Sequence, residues 1–226
     1  MDIVGLLPMG GNGTRLGMPF AKPLSPIITD DGIKPVFRHT LDHVRTVAPE
    51  VYALIRPVAC SCVRTAIREA GMSQLLTVHD ELPAALGEAG RFISQIHGKN
   101  AMVLTALPDS IWRLDPDRSL WDVVRAARQD GALALFRAKA DQLDDVIVAG
   151  SRVTTVRTKK PGATGEVTGW GAFLIRAGAL GGFSDRAKDG PQLGALDMGW
   201  ALLGDYIDLG TQERYINHHD MRGWNG

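Results

Sequence analysis

The chain has 226 residues, 45% of them apolar and 22% charged, and its 25 Lys plus Arg are balanced by 25 Asp plus Glu. That length buries a sizeable core and suits one α/β domain, while a formal net charge of zero gives no electrostatic footprint for nucleic acid or a membrane surface. The start, "MDIVGLLPMGG", has no basic leader and too short an apolar run to span a membrane, and Cys60 and Cys62 are poorly placed to bridge, so a reducing, cytoplasmic setting is expected.

In chain order, "IVGLL" (3–7) reads as a buried strand opening directly into a glycine-rich stretch. "IITDDGIK" (27–34) reads as two short extended pieces around an Asp-Gly turn, and "PVFRHTLDHVRTVA" (35–48) as a helix with Val36, Leu41, Val44 and Val47 on one face, stopped by Pro49. A strand "VYALI" (51–55), a helix "CVRTAIREAG" (62–71) closed by its glycine, a strand "QLLTV" (74–78) and a helix within "PAALGEAGRFISQIH" follow. "AMVLTAL" (101–107) is a continuous apolar strand ending at Pro108-Asp109. A helix near "SLWDVVRAARQ" comes next, with Trp112 and Trp121 flanking its start as core residues, and then a strand "ALALFRA". This alternation predicts parallel strands with crossover helices. Beyond residue 140, "DDVIVAG", "RVTTVRT" and "EVTGWGAFLI" read as strands in a mixed or antiparallel arrangement, and "YIDLGTQERYINHH" as a strand, a turn at Gly210-Thr211 and a final helix. There is no internal repeat and no linker long enough to divide the chain, so 1–226 is expected to be a single domain.

The stretch "LLPMGGNGTRLGMPFAKPL" carries the chemistry. A P-loop requires four residues between its glycines and then Gly-Lys-Ser/Thr, which are missing here. The dinucleotide fingerprint requires a glycine where Leu16 stands. What remains is bare backbone able to approach an anion, flanked by Arg15, a guanidinium that can bridge phosphate oxygens, and Lys22, a compact point charge.

"GGNGTRL" followed by "FAKPLSPI" resembles the signature of the sugar-1-phosphate nucleotidylyltransferases, which read Gly-x-Gly-Thr-Arg-Met/Leu and then Pro-Lys. Gly11, Gly13, Thr14, Arg15, Leu16 and Lys22 are kept, and Ala21 stands where the family has proline. The resemblance implies that Met9, Gly10, Gly11, Asn12, Gly13 and Thr14 contact a nucleoside triphosphate, that Arg15 holds its polyphosphate, and that Lys22 neutralises the α-phosphate under attack. It implies Mg²⁺ on two aspartates. Asp109, at the carboxyl end of an apolar strand, matches the first, with Pro108 in place of the usual glycine. Asp208 in "IDLGTQERY" matches the Asp of Asp-Ile-Gly-Thr-Pro-Glu-x-Tyr, with Gln212 in place of the proline. "RTKKPGATGEVTGWGAFLI" resembles the acceptor region, so Lys160 matches the lysine on the acceptor phosphate and Gly169 the glycine under the sugar. Lys159 stands where a glutamate that binds sugar hydroxyls is usual, and Trp170-Gly171-Ala172 also departs from the pattern. In "DELPAALGEAG", Glu81 and Gly87 match the segment that reads the base, without choosing among dTTP, UTP, CTP and GTP.

The resemblance thus implies a single Rossmann-like, GT-A-like nucleotidyltransferase domain. Its central sheet is expected to be mixed but predominantly parallel, with helices on both faces and no appended β-helix. The implied partners are an NTP and a phosphorylated small-molecule acceptor, most simply a sugar 1-phosphate. No nucleic acid or membrane partner is expected, and oligomerisation is left open. Two alternatives stand beside it. A glycosyltransferase of similar fold carries an Asp-x-Asp metal motif, whereas here Asp109-Ser110-Ile111 lacks the second aspartate and Asp115-Pro116-Asp117 lies only later. The other is a non-catalytic nucleotide-binding relative.

Overall fold

Strand β1 (Ile3–Pro8) sends alternate side chains to two apolar layers, and the fold is organised around that division. The computed structural model describes residues 1–10, 21–29, 32–160, 162–184, 189–209, 211 and 213–216, with only the backbone described at 189–191. Ile3 and Leu7 enter one layer with helices α1 (Val36–Arg45), α2 (Ser61–Glu69) and α4 (Leu120–Ala126). Val4 and Leu6 enter the other with α3 (Leu82–His97), α5 (Ala177–Leu180) and α6 (Asp189–Gly194). Gly5 is bare because α1 comes down on it: a Cβ there would lie 2.7 Å from a methyl of Val44.

Between the layers lies a ten-stranded sheet. Besides β1 it contains β4 (Glu50–Ile55), β5 (Ser73–Leu76), β6 (Met102–Ala106), β7 (Ser110–Leu114), β8 (Gly131–Lys139), β9 (Asp145–Ala149), β10 (Arg152–Arg157), β11 (Glu166–Arg176) and β12 (Met198–Asp208). A separate hairpin pairs β2 (Pro26–Thr29) with β3 (Gly32–Pro35). The main order is β5-β4-β1-β6-β11-β8-β12-β7. β5, β4, β1 and β6 are mutually parallel, β8 and β12 are parallel to each other, and β11 and β7 run against their neighbours. Within that order β11 and β7 alone oppose the rest, so the sheet is mixed and predominantly parallel with helices on both faces.

The carboxyl ends of β1, β6, β8 and β12, and the start of the reversed β7, therefore share one edge. That is the edge at which open α/β sheets bind ligands. β7 itself lies where the sequence suggested a helix start. Trp112 is fully buried on it, paired opposite Tyr206, whereas Trp121 on α4 is 44% exposed and is not a core residue. α4 is started by a capping box between Ser119 and Asp122. Cys60 and Cys62 are exposed free thiols at the start of α2. No described helix is long and apolar enough to cross a membrane.

The outer edge of β7 is closed by His39 of α1. Its Nε2 accepts the Trp112 amide at 3.0 Å and lies 3.1 Å from the Trp112 carbonyl, a position that suits a neutral ring. Burial is the largest cause that lowers its pKa from 6.5 to about 4, followed by His43; Lys34 lowers it further, against the Trp112 hydrogen bond and Asp42. The unfolded chain therefore takes up this proton near pH 6.5 and the folded chain only near pH 4. Stability from this group is complete above about pH 6.5 and falls as the pH drops towards 4, by up to about 3 kcal/mol. Denaturant unfolding at a series of pH values is expected to show that slope. His39→Gln, whose amide can meet both Trp112 groups without titrating, is expected to flatten it.

Candidate active site

At the carboxyl edge the sheet register brings two carboxylates together. Asp208 ends β12 directly opposite Ser110, and Asp109 is the residue before Ser110. The Pro108-Asp109 turn is held by the Leu107 carbonyl, which accepts the Thr40 hydroxyl at 3.2 Å and the Ser110 hydroxyl at 3.1 Å. Both aspartates meet Lys22. Its ammonium is ion-paired with Asp109 Oδ2 and lies 3.7 Å from Asp208 Oδ1. Lys22 opens a one-turn 3-10 segment, Lys22–Leu24, entered from Ala21 at φ −63°. Proline would fix that same angle, so the backbone here matches the family pattern even without the ring.

The rest of the site contains residues with no recognisable sequence motif. Arg214 donates to Asp208 Oδ2 at 2.6 Å and, through its other terminal nitrogen, to Asp141 in the segment after β8. Gln142 Oε1 accepts the Asp208 amide at 3.3 Å. Residues 213–216 are helical, and Thr211 Oγ1 accepts the Arg214 amide at 3.3 Å in the manner of an N-cap. Tyr215 seats this segment: its hydroxyl donates to the Pro26 carbonyl, and its ring joins Ile27, Val36, Ile111 and Leu209 in a small apolar cluster. That cluster locks the segments carrying Lys22, Asp109 and Asp208 to one another.

Beneath the carboxylates lies Tyr206, buried and hydrogen-bonded to Ser110. Its phenol is held well above the ordinary range first by burial and then by the negative charges of Asp109 and Asp208. It forms the floor under the two carboxylates. Gly171 is needed at this floor, since a Cβ would come within 2.9 Å of the Phe136 ring and 3.0 Å of Tyr206.

Of the sequence candidates, Lys22, Asp109 and Asp208 converge. Gly11, Asn12, Gly13, Thr14 and Arg15 lie outside the described residues. Met9 is buried, with its amide on the Leu54 carbonyl, and Gly10 follows it against the Arg56 side chain. Lys159 is exposed; its ammonium donates to the Gln142 carbonyl at 2.7 Å and its amide to Asp144 Oδ1 at 2.9 Å. Lys160, the next residue, is exposed, and its ammonium makes no ion pair among the described residues. Gly169 pairs with Phe136 and Asp145, and the close approach of Leu143 and the Asp144 carbonyl demands a glycine there. Glu81 is exposed just ahead of α3. Gly87 is buried on that helix, where the Phe183 carbonyl occupies the space of a Cβ. Asp115 is at the far end of β7 from this edge, bound to Arg137 at 2.7 Å, so it cannot supply a second aspartate beside Asp109.

The donor set suits a hard divalent cation. Two carboxylates already share one positive charge, and Mg²⁺ characteristically takes one or two carboxylates and completes its shell with water and phosphate oxygens. No larger group of metal-binding side chains is found among the described residues.

No protein-family model matches the chain, and no curated protein is matched by its sequence. Solved structures do match in shape. A Bacillus anthracis protein assigned as a glucose-1-phosphate thymidylyltransferase, solved with sucrose, superposes with a TM-score of 0.73 at 15% identity, covering 97% of this chain and 95% of its own. HddC from Yersinia pseudotuberculosis gives 0.69 at 11% identity over 99% and 100%. It has also been solved with GMP-PN. A nucleoside-diphosphate-sugar pyrophosphorylase from Vibrio cholerae RC9 gives 0.66 at 14% identity over 95% and 98%. Over 95–99% of its length the chain shares the fold of these proteins.

Proposed function

We propose that the protein is a nucleotidyltransferase that moves a nucleoside monophosphate group from an NTP to a phosphorylated acceptor, most simply a sugar 1-phosphate. The observation that carries this reading is the convergence of Lys22, Asp109 and Asp208 at the carboxyl edge of the sheet, the edge at which β1 also ends. The shared fold supports it.

In this reading the backbone N–H groups of Gly11, Asn12, Gly13 and Thr14 and the guanidinium of Arg15 hold the polyphosphate. Lys22 meets the negative charge that builds on the α-phosphate, and Lys160, exposed and without an ion pair among the described residues, receives the acceptor phosphate. Asp109 and Asp208 hold Mg²⁺, which supplies charge neutralisation at the phosphates when bound. An acceptor phosphate oxygen attacks the α-phosphorus in line, the bond from that phosphorus to the bridging oxygen breaks, and pyrophosphate leaves. No general base is needed, because the attacking oxygen is already ionised at neutral pH. Positioning and charge do the catalysis. Lys159, exposed and with its ammonium on the Gln142 carbonyl, is a second cation beside Lys160 on the acceptor side.

Lys22→Ala is expected to keep the fold and to lose turnover by two or more orders of magnitude, as measured by pyrophosphate release; near-normal turnover would remove Lys22 from the chemistry. In thermal or denaturant unfolding, one NTP with Mg²⁺, at about a hundred times its dissociation constant, is expected to add roughly 2.7 kcal/mol of stability. Asp208→Asn is expected to abolish the Mg²⁺-dependent part. If the shift is unchanged in that variant, Asp208 is not a ligand.

A further inference from the structure

We propose that Lys22 is an exchangeable placeholder for the divalent cation. It neutralises Asp109 and Asp208 whenever no divalent cation is bound, gives up that position when the cation binds, and turns its freed ammonium to the α-phosphate. This rests on the reading above that these two aspartates hold Mg²⁺.

The two cations at Asp208 are held differently. Arg214, on Oδ2, is tied down by its second ion pair with Asp141 and by the Thr211 cap on its amide. Lys22, on the side of Oδ1, has among the described residues no side-chain partner other than Asp109 and Asp208. Arginine's rigid fork suits a permanent clamp, and lysine's compact charge on a flexible stem suits one that moves. The carboxylates are 25% and 13% exposed at Asp109 and Asp208. Two like charges so placed need a cation between them whether or not substrate is present. A divalent ion attracts the pair more strongly than one ammonium does, which gives the exchange its direction.

The test is Mn²⁺ binding to nucleotide-free protein, read by the EPR signal of the free ion, for the native chain, Lys22→Met and Asp208→Asn. Lys22→Met is expected to bind Mn²⁺ roughly tenfold more tightly, since the ion no longer competes with a partly buried ammonium. Equal affinity in the native chain and Lys22→Met would overturn the exchange while leaving the metal site intact. No Mn²⁺ on either protein, or undiminished binding by Asp208→Asn, would overturn the metal site itself and the exchange with it. A second measurement needs no variant. Reductive methylation of the native chain, read by mass spectrometry, is expected to modify Lys22 several-fold faster with saturating Mg²⁺ than without it, with Lys160 unchanged. A Lys22 rate indifferent to Mg²⁺ would overturn the proposal.

Discussion

One ammonium between two carboxylates sets the geometry on which the site depends. Asp109, in the turn before β7, and Asp208, at the end of β12, lie far apart in the chain, and only the antiparallel register of β12 on β7 makes them neighbours. Close together and partly sheltered, they repel, so the fold has to bring a positive charge to the same point. It does so from a third place, the 3-10 turn at Lys22, which is fastened to the other two by the cluster of Ile27, Val36, Ile111, Leu209 and Tyr215. An apolar contact of five side chains thus fixes an electrostatic one. Arg214 and Asp141 extend the alternation of charge outward from Asp208.

Much of this was legible in the sequence, for identifiable reasons. β1, β4, β6 and β8 are continuous apolar runs because the central strands are buried on both faces, and such runs declare themselves without context. β7 and most of β12 did not. "SIWRL" is short, bears an arginine and follows Pro-Asp, so it read as the approach to a helix. Its strand character comes from pairing with β12 and from Trp112 lying under α1. β12 is interrupted by Gly199 and Gly204, which are glycine because the carbonyls of Ala126 and Arg113 occupy the space a Cβ would need. Those glycines dilute the pattern that marks a strand.

The site divides in the same way. Lys22, Asp109 and Asp208 could be named because short motifs surround them. Arg214, Asp141 and Gln142 could not, since an ion pair between the segment after β8 and the one after β12 follows from β8 and β12 being parallel neighbours, which no local pattern encodes. The only available hint was a cation three residues beyond Thr211, where a capped turn would swing it back towards Asp208. Lys159 shows the converse. It stands in the acceptor region by motif, and folding adds a contact no motif encodes, joining its ammonium to the Gln142 carbonyl. Position in a motif indicates a neighbourhood, and the direction of a side chain follows from packing.

The most direct measurement runs the reaction backwards. The purified protein would be incubated with Mg²⁺, pyrophosphate and a panel of nucleotide-sugars, and the products separated by anion-exchange chromatography. Nucleotidyl transfer predicts that one nucleotide-sugar is split by pyrophosphate into an NTP and a sugar phosphate. Release of a nucleoside diphosphate with no NTP would contradict it, because the diphosphate linkage would then have survived and the bond broken would be the glycosidic one.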